Sequence, residues 1–264
     1  MSSPPPLACA ERRDGGGEAA RIRRVYDAYR GSRAVRRRWD PANAGNRAIH
    51  DERAAALREI LQRGGFIPFA HRRVLDLGCG SGEVLASLEE LGALPEDLYG
   101  VDLGEQEIEA ARRRFPSMHW QVANAETLEF QPGSFALVLA FTVFSSVLDD
   151  AMARNLAAEI DRVLHRDGAL LWYDFRYRNP YNRAVRGISP RRIAELFPGW
   201  TSELRSITVL PPLSRRLGRA APVLYPLLAR VRPLRTHLIG LLRKPRDPAS
   251  GEPRAPLQSE LRVS

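Results

Sequence analysis

Residues Val74 to Gly82 read V-L-D-L-G-C-G-S-G. An aliphatic run ends in an acid, then breaks into a turn with glycine at every second position. A buried parallel strand stops in this way when the loop after it must lie flat against a small ligand. Gly78, Gly80 and Gly82 carry no Cβ to hold a ligand off, and they accept the φ > 0 conformations of such a turn. The apolar-periodic stretch Glu83 to Leu91 predicts a helix running back over the sheet.

The glycine spacing separates the ligands that use loops of this kind. A dinucleotide fingerprint is GxGxxG, with pyrophosphate resting on the helix N-terminus. Here the third glycine comes one residue early, and Glu83 stands where the fingerprint needs glycine. A carboxylate in the first helical turn repels pyrophosphate at the dipole end that should attract it. No GxxxxGK[ST] loop occurs, and the only lysine is the distant Lys244, so a phosphate P-loop is excluded.

Further pieces follow in order. Leu98 to Val101 predict a second strand ending in Asp102 and Leu103, and an acid there can accept both ribose hydroxyls of an adenosine. A third strand, His119 to Val122, runs into Ala123-Asn124-Ala125-Glu126, and the Asn124 carbonyl can accept from an exocyclic amine. Together these residues resemble the motifs of class I S-adenosylmethionine-dependent methyltransferases. The resemblance covers residues 22–244, with its specific motifs at 74–175. It departs from the family at Ala136, where an acid is common. It implies S-adenosyl-L-methionine as cofactor, contacted by Asp76, Gly78, Cys79, Gly80, Asp102, Leu103, Asn124, Ala125, Glu126 and Phe141. It also implies a Rossmann-like, seven-stranded mixed sheet in the order 3-2-1-4-5-7-6, with an N-terminal helical lid and a helical insert between the last two strands.

The rest of the chain fits one α/β domain. Its 264 residues are 44% hydrophobic, enough for a single core. Residues 1–18 and 245–264 read as disordered tails, and 19–244 as the methyltransferase domain. Within it, 19–65 form the helical lid and 72–175 the cofactor-binding core. Residues 189–244 supply a substrate-side helix, a hairpin and a lid insert. Ile22, Val25, Tyr26 and Tyr29 share one face of a helix over 19–31, and Ala48 to Gln62 form a second. In the core, strands at 73–77, 98–102, 118–122, 135–140 and 168–175 alternate with helices at 83–91, 105–114 and 151–165, the pattern of a parallel sheet. Ser189-Pro190 caps a helix through Leu196, and Trp200 to Leu210 and Thr236 to Leu242 read as the last two strands. The insert 211–235 then stands over the ligand crevice.

Two cysteines, Cys9 and Cys79, make no disulfide framework, which suggests a reducing cytoplasm. No segment reads as a secretory signal or approaches the ~20 apolar residues of a membrane span. The net charge of +9 is uneven: arginines crowd 21–38 and the region after Pro190, while the motif-bearing core is acidic. Such flanks suit an anionic substrate, an anionic membrane or nucleic acid, or reflect an arginine-rich codon bias. Nucleic acid is disfavoured, because Ala140-Phe141-Thr142-Val143 stands where many amino-methylating enzymes carry an Asn/Asp-Pro-Pro-aromatic sequence.

Oxygen acceptors need a base. Topology puts His71, His119 and His165 at the far edge of the sheet and His237 at the near edge, beside the insert. His237 and Asp174 are therefore the candidate bases, each with a purely structural alternative. Tyr173, Arg176, Ser145 and Tyr29 are candidate substrate contacts; Arg176 can hold an anion or pair internally with Asp174. The expected reaction is methyl transfer to a small-molecule hydroxyl, as in glycan or secondary-metabolite pathways. The basic flanks suit an anionic or lipid-linked acceptor, and no metal is expected.

Overall fold

In the computed structural model, residues 17–69, 71–179 and 182–245 are described. The expected tails lie outside them, apart from Gly17, Glu18 and Pro245, as does Cys9.

One face of the sheet is set by the alternation of strands and crossover helices. The strands are β1 (Val74–Leu77), β2 (Leu98–Asp102), β3 (His119–Val122), β4 (Phe135–Phe141), β5 (Leu164–Phe175), β6 (Thr201–Val209) and β7 (Arg235–Arg243). They form one seven-stranded sheet in the order β3-β2-β1-β4-β5-β7-β6. The first five are parallel, and β7 runs antiparallel between β5 and β6. β1, all of β4 but Ala136, and most of β5 are buried, as strands covered on both faces must be. All parallel strands therefore end at one edge, where β6 also ends and β7 begins.

The helices are α1 (Glu18–Gly31), α2 (Arg33–Arg38), α3 (Ala44–Arg63), α4 (Glu83–Ala86), α5 (Glu105–Arg114), α6 (Asp150–Val163), α7 (Pro190–Leu196), α8 (Pro211–Arg216) and α9 (Ala221–Leu228). Apolar side chains of α1, α6 and α7 pack on one face of the sheet around Trp172 and Phe144. Those of α3, α4 and α5 pack on the other, around Leu61, Leu85 and Ile108. Side chains cap three helices: Asn43 accepts from Gly45 and Asn46, Asp149 from Met152, and, as expected, Ser189 from Arg192.

Several boundaries differ from expectation, among them the start of α3 at Ala44 rather than Ala48 and the short helix α2, which the sequence does not announce. The helix expected over Glu83 to Leu91 is α4 plus a separate 3₁₀ turn at Glu89–Leu91, ended by Gly92 in the left-handed region. α1 begins one residue into the expected tail, where the Glu18 carboxylate pairs with Arg21. α6 stops at Val163, so His165 opens β5; it is still exposed at the far edge. A register shift between Phe135 and Leu137 absorbs the extra β5 residues, which is why periodicity misread them.

The insert carries α8 and α9 and is anchored on α3. Ile49, Val209 and Tyr225 make a small separate core there. At Gly45 a Cβ would lie 2.0 Å from the Ser214 carbonyl oxygen, so glycine is what lets α3 and α8 touch.

Candidate active site

The glycine turn folds back over the end of β2: the Gly78 and Cys79 amides donate to the Val101 carbonyl at 2.8 and 3.0 Å. Gly78, Gly80 and Gly82 all have positive φ, at 66°, 54° and 88°. At Gly82 the constraint is double, because a Cβ would also lie 2.5 Å from the Trp120 ring. Trp120 reaches under the loop from β3 and likewise fills the space beside Gly100. No local signal in the sequence links Trp120 to these glycines.

Asp102 ends β2 and is pinned by two amides. Its carboxylate accepts from Gly80 N at 2.9 Å and Gly104 N at 2.7 Å, leaving each oxygen a second lone pair. Burial pushes its carboxyl above the ordinary range, against the pull of those two amides. Asp76 is wholly buried at the end of β1, and burial, with the Asp102 charge behind it, raises its carboxyl well above normal. Its Oδ1 has no hydrogen-bond partner. Burial likewise drives the Cys79 thiol upward, so this cysteine is a packing residue and not a thiolate nucleophile.

A glycine floor with one unsatisfied buried carboxylate oxygen and a pinned acid beyond it suits a ligand that brings cationic centres and a diol. A cation here relieves the burial cost of both acids. S-adenosylmethionine, with its sulfonium, ammonium and ribose, fits these residues.

Beyond Asp102, at the ends of β2 and β3, Leu103, Ala125 and Glu126 are half-buried. Asn124 is partly committed to its own turn: its Oδ1 accepts from Glu126 N at 3.1 Å and its Nδ2 donates to Glu126 Oε2 at 3.0 Å. The second lone pair of Oδ1 is what it can still offer an adenine amine.

α1 lies across the crest and is fastened at both sides. At the β2 side Arg30 pairs with Glu107 of α5 at 2.6 Å. At the β4 side the Tyr26 and Ser146 hydroxyls are 2.7 Å apart, and Arg21 donates to the Ser146 carbonyl. Glu18 accepts from the amides of Leu148 and Asp149. Tyr29 and Asn182 share a further hydrogen bond. The Tyr26 ring is 42% exposed, yet its hydroxyl end is enclosed. That enclosure raises its pKa, and the charges of Asp174 and Asp102 add to the effect, so Tyr26 stands in the field of both acids.

The candidate acceptor residues divide between the two sides of the sheet. Side chains alternate along a strand, so Asp174 points one way and Tyr173 and Phe175 the other. Asp174 is 1% exposed; its Oδ2 accepts from Ser145 N at 2.9 Å and its Oδ1 from Phe175 N at 2.7 Å. Burial pushes its carboxyl up to about 6 despite those bonds. Arg176 does not pair with it: the guanidinium lies over the Tyr177 ring, 4.5 Å from its centroid. Between Phe141 and Ser145, Thr142 holds a φ of 56°, unusual for a β-branched residue, fixed by its amide on the Tyr173 carbonyl and its own carbonyl accepting from Ser146.

His237 belongs to the opposite face. It stacks on Tyr173 with centroids 4.7 Å apart and on Phe175 at 4.2 Å. Burial lowers its pKa to about 3, so the ring is neutral. Thr236 Oγ1 donates to the Thr208 carbonyl, so it accepts from His237 Nδ1, 2.9 Å away, and Nε2 is the acceptor nitrogen. The two candidate bases therefore do not converge on one point.

No sequence pattern marks the polar group around Tyr173 and His237. Tyr173 Oη meets Thr208 Oγ1 at 3.0 Å, and burial lifts this phenol to about 12. Glu52 of α3 accepts from Thr208 N and from Tyr225 Oη. Thr208 sits at a φ of 67°, outside the β6–β7 pairing. Arg53 lies over the Tyr173 ring and donates to His50 Nδ1. The helical reading of 48–62 contained His50, Glu52 and Arg53, but no spacing rule brings that turn over β5. Among the described residues no cluster suited to a metal ion occurs.

A family model described as a methyltransferase domain matches residues 74–168. The chain is 26% identical over 195 residues to the ubiquinone biosynthesis O-methyltransferase of Thiobacillus denitrificans, covering 72% of this chain and 79% of that protein. It is 26% identical over 180 residues to the enzyme of the same name from Pseudomonas aeruginosa, covering 65% and 72%. Solved structures share the fold. A SAM-dependent methyltransferase from Methanosarcina mazei superposes with a TM-score of 0.51 at 17% identity, over 67% of this chain and 93% of the other. One from Archaeoglobus fulgidus gives 0.51 at 17% identity, over 72% and 94%.

Proposed function

Because this chain belongs to the class I S-adenosylmethionine-dependent methyltransferases, we propose that its acceptor is a hydroxyl group of a small molecule and that Asp174 receives the proton. The observation that carries the proposal is the Asp174 carboxylate, buried at the end of β5 with its pKa near 6 and in the same field as Tyr26 and Asp102. The named O-methyltransferase relatives support oxygen as the acceptor atom.

When bound, the cofactor supplies an electrophilic methyl group. The chain's part is to hold, orient and exclude water. Gly78 to Gly80 would give backbone access, Asp102 would take the ribose hydroxyls, and Asp76 would lie beneath as a buried counter-charge. Leu103, Asn124, Ala125 and Glu126 would border the adenine, and Phe141 would wall the β4 side. α1 covers the crest through Tyr26 and Arg30. Asp174 is mostly ionised at neutral pH and can take a hydroxyl proton as the bond to carbon forms, in competition with the Ser145 side chain and the Phe144 amide, which face it beside the Ser145 and Phe175 amides. A base so placed contributes about 10² to 10⁴ in rate. Ser145 holds that carboxylate through its amide. His237 and Tyr173, buried together on the opposite face of the sheet, do not reach a group held at Asp174, which leaves Tyr29 and Arg176 as the contacts proposed for its approach. No described helix is long and apolar enough to cross a membrane; the two cysteines support a cytoplasmic setting.

Calorimetry with S-adenosylmethionine and S-adenosylhomocysteine on wild type and Asp102→Ala tests the cofactor site. Turnover of wild type and Asp174→Asn on hydroxylated aromatic acceptors tests the base. Cofactor binding with an undiminished rate in Asp174→Asn removes Asp174 from the chemistry.

A further inference from the structure

The two basic flanks of the sequence meet on one surface. Arg215 of α8 lies over the Trp39 ring at 4.5 Å, its Nε donates to Asn46 Oδ1, and its carbonyl accepts from Asn43. Burial lowers the Arg215 pKa, and the Arg38 charge lowers it further, which places the end of α2 against the insert. Arg33, Arg37 and Arg38 are exposed on the α2 side, and Arg216, Arg219, Arg230 and Arg232 on the insert.

Acids hardly interrupt this surface. None occurs between Leu204 and Arg246, and Asp40 alone lies between Arg33 and Asn46. Glu52, beneath Tyr225, is turned inward to Thr208 and the Tyr225 hydroxyl. Arg47 and Arg219 line a cleft of about 470 Å³ between the start of α3 and the insert.

The surface is apolar as well as basic. α9 buries Ala221 and Tyr225 on one side and turns Val223, Leu224 and Leu227 outward, with Val223 69% and Leu227 50% exposed. Val231 and Trp39, the latter 46% exposed, extend the ridge. Arginines around an exposed aliphatic and indole ridge match an anionic lipid interface, in which phosphates meet the guanidinium groups and the ridge enters the acyl boundary. A nucleic acid would use the charges and leave Val223 and Leu227 in water.

We propose that α2 and the insert dock this protein on an anionic bilayer. The insert joins the end of β6 to the start of β7, at the edge where the glycine turn and Asp174 lie, so docking turns the crevice mouth to the membrane. Resting on the hydroxyl-acceptor reading only for this last step, the substrate class is an amphiphile with a membrane-embedded apolar tail.

The test is cosedimentation of the full chain with equimolar phosphatidylglycerol–phosphatidylcholine vesicles and with pure phosphatidylcholine. Binding to the anionic vesicles only is expected, weakening with salt and undisturbed by millimolar inorganic phosphate. R219Q/R230Q/R232Q should weaken it by about a hundredfold. V223S/L227S should weaken it by about tenfold or more with little change in salt dependence. All these positions are exposed, and cofactor calorimetry on each variant confirms the fold. Failure to bind anionic vesicles while the cofactor still binds overturns the docking proposal and leaves the enzymatic reading intact. So does vesicle binding indifferent to V223S/L227S, or tighter binding to duplex DNA or RNA, which would mark a polyanion surface.

Discussion

Replacing Asp174 by Asn probes the buried carboxylate in two independent ways. In the folded chain burial moves this group to about 6, against 3.8 for a fully solvated aspartate. A raised carboxylate pKa means that the folded state binds more protons than the unfolded chain between those values. Its contribution is therefore most favourable below about pH 4 and is lost as pH rises through 6. Two units correspond to about 3 kcal/mol, of which about two-thirds falls between pH 4.5 and 8. Asn carries no charge to desolvate but accepts one amide fewer than the carboxylate, a loss of about 1–3 kcal/mol. The variant should thus match wild type within about 1–2 kcal/mol at pH 8 and be clearly less stable at pH 4.5. Urea unfolding of both proteins across this range measures the difference. A gap between them that stays constant with pH would refute the argument, because it would mean that Asp174 titrates normally in the folded state. The same carboxylate should give wild-type kcat an ascending limb near pH 6. Asp174→Asn should lose that limb along with about 10² or more in rate.

Gly82→Ala puts a methyl group into the Trp120 ring at a left-handed φ. A loss of about 2–4 kcal/mol is expected, partly relieved by Trp120→Leu in the same chain, and a double-mutant melting cycle reads the coupling. For His237 the sign is opposite to that of Asp174: its depressed pKa makes stability fall as pH drops from 6.5 towards 3. His237→Phe should therefore flatten the acid side of the stability curve, and an unchanged curve would mean the ring is solvated. Tyr26→Phe removes one hydroxyl bond, about 1 kcal/mol, from the α1 fastening. Faster amide exchange in α1 and a shorter cofactor residence time are expected, with the melting temperature nearly unmoved. Asp102→Ala should weaken S-adenosylhomocysteine by about tenfold or more in calorimetry, since charge-assisted bonds contribute about 1.5–3 kcal/mol.

The sheet and the cofactor crest were legible because each depends on local pattern. Buried strands write themselves as aliphatic runs, and Gly78, Gly80, Gly82 and Asp102 sit at fixed offsets from strand ends. What escaped was whatever depends on a partner far along the chain. Trp120 under Gly82, Glu52 beneath Thr208 and Arg53 over Tyr173 obey no spacing, and the left-handed Thr142 looks like an ordinary strand exit. His165 was misplaced because Val163 and Leu164 satisfy helix and strand alike, and only the shifted pairing with β4 decides between them. His237 and Asp174 are both candidates on sequence because each stands at the near edge of the sheet, and position along a strand does not say which face a side chain takes. Strand alternation sends them apart.

Fastening α1 to both rims has a kinetic consequence. If the cofactor lies on the crest beneath α1, its spent form is expected to leave only once Arg30 parts from Glu107 and Tyr26 from Ser146. Unlatching of the chain's first helix would then be a step of each catalytic cycle, with a frequency that bounds turnover independently of methyl transfer.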